Sequence, residues 1–130
     1  MSAGALKIVR WIGSSLDDLR EFPDEVRDEI GHALYQAQLG GKHVSAKPLK
    51  GFGGAGVLEI VEAFAGNAYR AVYTVRFADA VYVLHAFQKK SKKGIATPRE
   101  EIELINQRLR RAREDYHERK SKKENTGSPE

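Results

Sequence analysis

Arg70 lies in the strand-forming run Tyr69-Arg-Ala-Val-Tyr-Thr-Val-Arg76, where alternation puts it on one side with Val72, Thr74 and Arg76. A guanidinium can grip a phosphate through two parallel hydrogen bonds, which an ammonium cannot do. The same arginine could instead form a salt bridge with Glu59 or Glu62 on an adjacent strand. Lys47 and Lys50 sit around Pro48, which stiffens their loop, and Lys89, Lys90, Lys92 and Lys93 crowd around Ser91 ahead of Gly94. Lysines at that density bind polyanions by counterion release, or serve as a solubilising turn. Arg76 adds a further cation for the same purpose.

Other chemistries are excluded by residue type. With no cysteine among 130 residues there is no thiol nucleophile, thiolate zinc site or disulfide. The four histidines, His32, His43, His85 and His117, lack paired-ligand spacing, so no metal or other cofactor is expected. Gly51-Phe-Gly-Gly-Ala-Gly56 is not followed by Gly-Lys-Ser/Thr, and it reads as a strand connector, not a phosphate loop. No segment approaches the ~20 apolar residues needed to span a bilayer, and no signal-peptide pattern opens the chain, so a cytoplasmic setting is expected.

Charge is unevenly placed. Residues 1–88 carry a net −1, residues 89–123 a net +7, and the whole chain +4. Seven acids (Asp17, Asp18, Glu21, Asp24, Glu25, Asp28 and Glu29) fall between Ser14 and Glu29. Such polarity fits a polyanion-binding surface on one side, or two ordinary solvated helix faces.

The elements that must position these groups can be read in order. Leu6 to Ile12 is a short strand stopped by Gly13, and Leu16, Leu19 and Phe22 mark a short helix opened by Ser14 or Ser15. After Pro23, the residues Val26, Ile30, Ala33, Leu34 and Ala37 recur at helical spacing until Gly40-Gly41. Residues 42–56 read as a loop, and three strands follow, Val57 to Ala63, Tyr69 to Arg76 and Ala80 to Gln88, turning at Gly66-Asn67 and near Asp79. Along the last strand, Val83, His85 and Phe87 are expected to share a face. Thr97-Pro98-Arg99-Glu100 has the form of a capping box, and Ile102, Ile105, Leu109, Ala112 and Tyr116 make one apolar helical stripe. The order β-α-α-β-β-β-α predicts an α+β domain over residues 1–118. Its core is a mostly antiparallel four-stranded sheet, with helices against one face and an irregular polar tail at 119–130.

That order resembles the RelE/ParE superfamily of bacterial toxins, and most of all its HigB-like branch, which includes phage-derived members. The likeness runs from Leu6 to Arg113. Its carriers are Lys47-Pro-Leu-Lys50-Gly, Val57-Leu-Glu-Ile60, Tyr69-Arg-Ala-Val-Tyr-Thr-Val75, Val83-Leu-His-Ala-Phe-Gln-Lys-Lys-Ser-Lys-Lys93 and Thr97-Pro-Arg-Glu-Glu-Ile102. The resemblance implies the toxin of a type II toxin–antitoxin system, a metal-independent endoribonuclease that cuts mRNA, often on the ribosome. It implies a cognate antitoxin, commonly with a helix-turn-helix DNA-binding domain, through which alone operator DNA is reached. Arg70 fits the strand arginine of RelE-like nucleases, Lys47 and Lys50 the lysines of the preceding loop, and Lys89 and Lys90 the basic residues after the last strand. The tyrosine or histidine often found near the phosphate has no counterpart between Lys89 and Glu101.

Metal-free RNA cleavage needs a base for the 2′-hydroxyl, cations for the phosphorane-like transition state and an acid for the leaving 5′-oxygen. Arg70 is the leading cation. The base is Glu59, or Lys47 or Lys50 with its pKa lowered by neighbouring cations. His85 is a third acid/base candidate, or else a hydrogen-bonded core histidine, and Tyr73 reads as packing. Val26, Ile30 and Leu34 are either core or an antitoxin-docking stripe. Two rival functions share the resemblance: a ParE-like DNA gyrase poison, and a non-catalytic nucleic-acid or regulatory binding module.

Overall fold

The computed structural model describes residues 6–54, 56–89 and 97–126. Its elements are β1 (Ile8–Trp11), α1 (Ser15–Arg20), α2 (Asp24–Gln38), β2 (Lys47–Pro48), β3 (Val57–Phe64), β4 (Asn67–Thr74), β5 (Ala80–Lys89) and α3 (Arg99–Thr126). The strands form one sheet in the order β1-β5-β4-β3-β2, antiparallel except where β1 runs parallel to β5. The α+β class and mostly antiparallel sheet are as expected, but there are five strands and not four. The addition is β2, inside the stretch read as loop. Its proline has no amide hydrogen, which is tolerated because β2 is the outermost strand. The next residue, Leu49, donates its amide hydrogen to the Val57 carbonyl at 3.0 Å.

The β3–β4 turn is Ala65-Gly66, with φ of +52° and +82°. Two central residues at positive φ give the tight hairpin whose twist matches its strands. The turn thus comes one residue before the expected Gly66-Asn67, and Asn67 already pairs with Phe64.

Helices cover both faces of the sheet, a correction to the one-face arrangement. On one side α2 buries Val26, Ile30, Ala33, Leu34 and Ala37 with Leu58, Ile60, Ala71, Tyr73, Val81 and Val83. On the other, Ile105, Leu109, Ala112 and Tyr116 of α3 pack with Val57, Val72, Tyr82, Leu84 and Phe87. Neighbouring strand residues point to opposite sides, so covering both faces buries nearly all of β4 and β5. The stripe Val26, Ile30 and Leu34 is core.

A bulge interrupts the β4–β5 ladder. Val72 stands opposite His85 and Tyr73 opposite Val83, which leaves Leu84 with no β4 partner. One extra residue reverses the alternation of β5 beyond it. His85 and Phe87 therefore share the α3 side with Tyr82, while Val83 joins the α2 core. The expected grouping of Val83 with His85 and Phe87 fails for this reason.

At the start of α3, the Pro98 carbonyl accepts from the amides of Glu101 and Ile102 at 3.1 and 3.0 Å. Pro98 is thus the N-cap and Thr97 precedes the helix, one residue off the capping-box pattern. At its other end α3 continues past Glu118 to Thr126, through residues expected to be irregular. Arg119, Lys120, Lys122 and Lys123 are good helix formers, and Arg119 Nε donates to Asp115 Oδ2 one turn back at 2.7 Å. No helix among the described residues is long and apolar enough to cross a membrane.

Tyr73 is enclosed in the α2-side core, and its hydroxyl has no hydrogen-bond partner among the described residues. Burial pushes its pKa up to about 12. An unpaired buried hydroxyl costs ~1–3 kcal/mol. Tyr73→Phe is accordingly expected to leave the thermal unfolding midpoint unchanged or raise it. A midpoint several degrees lower would show that the hydroxyl is bonded after all.

Candidate functional site

Cross-strand partners share a sheet face. Lys47 pairs with Glu59, Glu59 with Val72 and Val72 with His85, so these four form one row across β2, β3, β4 and β5. Arg70 lies two residues from Val72 and therefore on the same side, diagonal to Glu59. Lys47, Glu59, Arg70 and His85 thus share the face that α3 covers. Lys50 lies just beyond β2, exposed in the loop.

Arg70 is only 6% exposed. Its Nη1 donates to Glu59 Oε2 at 3.0 Å and to Thr97 Oγ1 at 3.4 Å, while the Thr97 hydroxyl donates to the same Glu59 oxygen at 2.9 Å. Of the two outcomes open to this arginine, the salt bridge with Glu59 is the one found. The guanidinium sits paired beneath the start of α3 and does not line an open cleft, because burial of this face demands a counter-charge. Glu62 points to the other side, where partial burial and nearby Glu29 raise its pKa. Glu59 itself keeps an open flank: with Lys47, Val44, Ser45 and Val61 it lines a cavity of about 330 Å³. A carboxylate and an ammonium face one cavity, with Arg70 directly behind the carboxylate.

His85, also 6% exposed, is stacked on Phe87 with ring centroids 4.6 Å apart. Its Nε2 is 2.5 Å from Glu101 Oε1 and its Nδ1 is 3.4 Å from Arg108 Nη1. An arginine can only donate, so Nδ1 accepts and Nε2 carries the hydrogen toward Glu101. Arg108 also donates to the carbonyl of Leu84, the bulge residue, at 3.0 Å and to Ser14 Oγ at 3.3 Å, and that hydroxyl donates to Asp18 at 2.8 Å. Gly13, at φ +59°, makes room for this guanidinium: a Cβ there would come within 2.9 Å of it. Burial first, then the charge of Arg108, lower the pKa of His85 against the opposing pull of Glu101 and Asp18. Of the two readings of His85, this is the hydrogen-bonded core histidine.

Thr97, Glu101 and Arg108 are partners that sequence reasoning missed. Glu101 and Arg108, seven residues apart, share one helical face beside the stripe Ile105 and Leu109, with Thr97 just ahead of the first turn, and that signal was available. Arg76 is exposed and, at about 3.3 Å per residue, lies roughly 20 Å along the chain from Arg70, so the two cannot share one phosphate. Lys89 ends β5 opposite Ala68. Lys90, Lys92 and Lys93 lie outside the described residues.

Because His85 is held neutral, acidification should weaken the fold. Its folded pKa lies below the ordinary 6.5, so between those two values the unfolded chain takes up a proton that the folded one refuses. Its contribution is complete above the unfolded pKa, declines as the pH falls below it and levels off under the folded value. Urea unfolding at pH 7.5 and 5.5 should show this loss in the wild type and a smaller one in His85→Gln. Equal losses would place the acid sensitivity elsewhere.

Residues 17–110 match the family described as Phage derived protein Gp49-like (DUF891). The match spans most of α1, all of α2, β2 to β5 and the first half of α3, and so includes both buried polar clusters. No curated protein matches the chain. Among solved structures, a mutant of the E. coli toxin RelE in the free state is similar over 63% of this chain and 82% of its own, with 19% identity and a TM-score of 0.48. The toxin–antitoxin complex RelBE2 from Mycobacterium tuberculosis is similar over 67% of this chain and 95% of its own, with 20% identity and a TM-score of 0.42. Since the family match takes in well over half of its residues, the chain belongs to the phage-derived Gp49-like family.

Proposed function

We propose that this chain is the toxin of a type II toxin–antitoxin pair, a HigB-like member of the RelE/ParE superfamily, and cleaves mRNA in the cytoplasm without a metal. The observation that carries the reading is the shared cavity of Lys47 and Glu59 with Arg70 in contact behind it. A scissile phosphodiester seated there meets a base and a cation from two adjacent strands, with the second cation, Arg70, held behind the base. Glu59 takes the proton of the 2′-hydroxyl, the 2′-oxygen attacks phosphorus, and Lys47 and Arg70 stabilise the added charge. The bond from phosphorus to the 5′-oxygen breaks, leaving a 2′,3′-cyclic phosphate and a 5′-hydroxyl once an acid supplies a proton. Lys50 and the lysine run from Lys89 to Lys93 hold the flanking backbone without regard to base. Selectivity then falls to the ribosome, and restraint to a helix-turn-helix antitoxin.

One observation favours the rival readings. Arg70 is closed against Glu59, and neither a gyrase poison nor a non-catalytic binding module needs that arginine exposed. Mapping transcript 5′ ends after brief induction in bacteria separates them. New internal ends are expected for the wild type, and at least tenfold fewer for Lys47→Ala, an exposed position whose loss does not threaten folding. Growth arrest with gyrase-linked DNA breaks and no new ends would establish the poison, and the absence of both would leave the module.

A further inference from the structure

We propose that a second groove, at the far end of the same sheet face, binds the backbone phosphates of single-stranded RNA to one side of the cleaved bond. The choice of RNA as ligand rests on the ribonuclease reading; the groove itself rests on its own geometry. One wall is the glycine-rich loop at Gly51, Gly53 and Gly54, and the other is α3. Arg76, Arg110 and Arg113 line the space between, a cavity of about 460 Å³. Among the described residues none of these three arginines has an ion pair, whereas Arg27, Arg70, Arg99 and Arg119 each meet a carboxylate. Three guanidinium groups facing one trough without a carboxylate partner among the described residues make a surface suited to oxyanions.

The loop is built for this placement. Gly56 has a φ of +65°, and a Cβ on it would lie 3.2–3.3 Å from the backbone and Cβ of Arg76. The amide of Val75 donates to the Gly56 carbonyl at 2.9 Å. Loop and arginine are thereby pressed into one unit. Nothing lies within 4 Å of where side chains would stand at Gly51, Gly53 and Gly54, so that wall is bare backbone that a phosphate can approach closely. Arg110 and Arg113, three apart on α3, have Cβ atoms about 5–6 Å apart, which suits a run of phosphates better than one isolated anion. Phe52 also lines the groove, but at 7% exposure it offers too little of its ring for a base to stack on, so recognition is of backbone and not of base.

The test uses the full chain and a fluorescent single-stranded 2′-O-methyl RNA oligonucleotide, which cannot be cleaved, with anisotropy titrations between low and moderate salt. Arg110→Ala/Arg113→Ala is expected to weaken binding at least tenfold. It should also flatten the plot of log affinity against log salt by about 1.4, since each lost single-strand phosphate contact contributes ~0.7. Arg110→Lys/Arg113→Lys should recover most of that slope, which a folding defect would not allow. Arg20→Ala/Lys42→Ala, with the same charge loss at exposed positions on the α1–α2 side, should keep the wild-type slope. Equal slopes for all four proteins would overturn the proposal. So would Arg110- and Arg113-dependent binding of a polyglutamate peptide but not of RNA, which would assign the groove to an acidic protein segment. No cleavage is read, so a missing set of new transcript ends would defeat the ribonuclease reading while leaving this measurement to stand or fall separately.

Discussion

A sheet face that carries Glu59, Arg70 and His85 can be covered by a helix only if each group finds a partner as water leaves. An unpaired buried charge costs several kcal/mol, so that requirement constrains where α3 can lie more tightly than its apolar stripe does. Ile105, Leu109 and Ala112 would pack acceptably with the helix slid or rotated a little. Thr97 on the Glu59–Arg70 pair, Glu101 on His85, and Arg108 reaching the Leu84 carbonyl and Ser14 do not tolerate such a shift. These contacts also tie α3 to the loop between β1 and α1. Specificity of placement is thus carried by polar groups, and adhesion by apolar ones.

Much of this was legible in the chain, and the failures have identifiable causes. The periodicities of Val26 to Ala37 and of Ile102 to Tyr116 marked real buried stripes, because long amphipathic patterns reflect burial directly. Pairing of Lys47-Pro48 at the sheet edge could not be read, since two residues carry no period. Nor could the covering of the second face, which depends on where α3 returns after β5. Arg108 stands in sequence among the basic residues Arg110, Arg111 and Arg113 of α3. It lies at the margin of the apolar stripe, where alternation in sequence does not decide between water and a buried carbonyl. That Lys47, Glu59, Arg70 and His85 share one face needed the observed register, since Lys47 belongs to a two-residue strand and the bulge at Leu84 sets the side that His85 takes. The closure of Arg70 against Glu59 needed coordinates.

Charge that is segregated along the sequence becomes segregated in space. The acid-rich segment from Ser14 to Glu29 forms α1 and the start of α2, on one face of the sheet, and the basic residues of α3 lie across the other. The sheet between the two layers keeps most of these charges from meeting at short range, Asp18 excepted, whose charge reaches Arg108 and His85. A polyanion approaching in solution is turned toward the α3 side before any contact is made, and a cationic or acid-seeking protein toward the α1–α2 side.

The bulge at Leu84 sets one further boundary. Because it inverts parity midway along β5, the two halves of that strand are out of phase with each other by design. A chain shortened by that single residue would restore an unbroken ladder with Val83 still opposite Tyr73 and His85 opposite Val72, whereas losing any other single residue from the strand would swap inside for outside beyond it. Length changes in this strand are thus far less forgiving than replacements, and related chains should diverge in composition here well before they diverge in spacing.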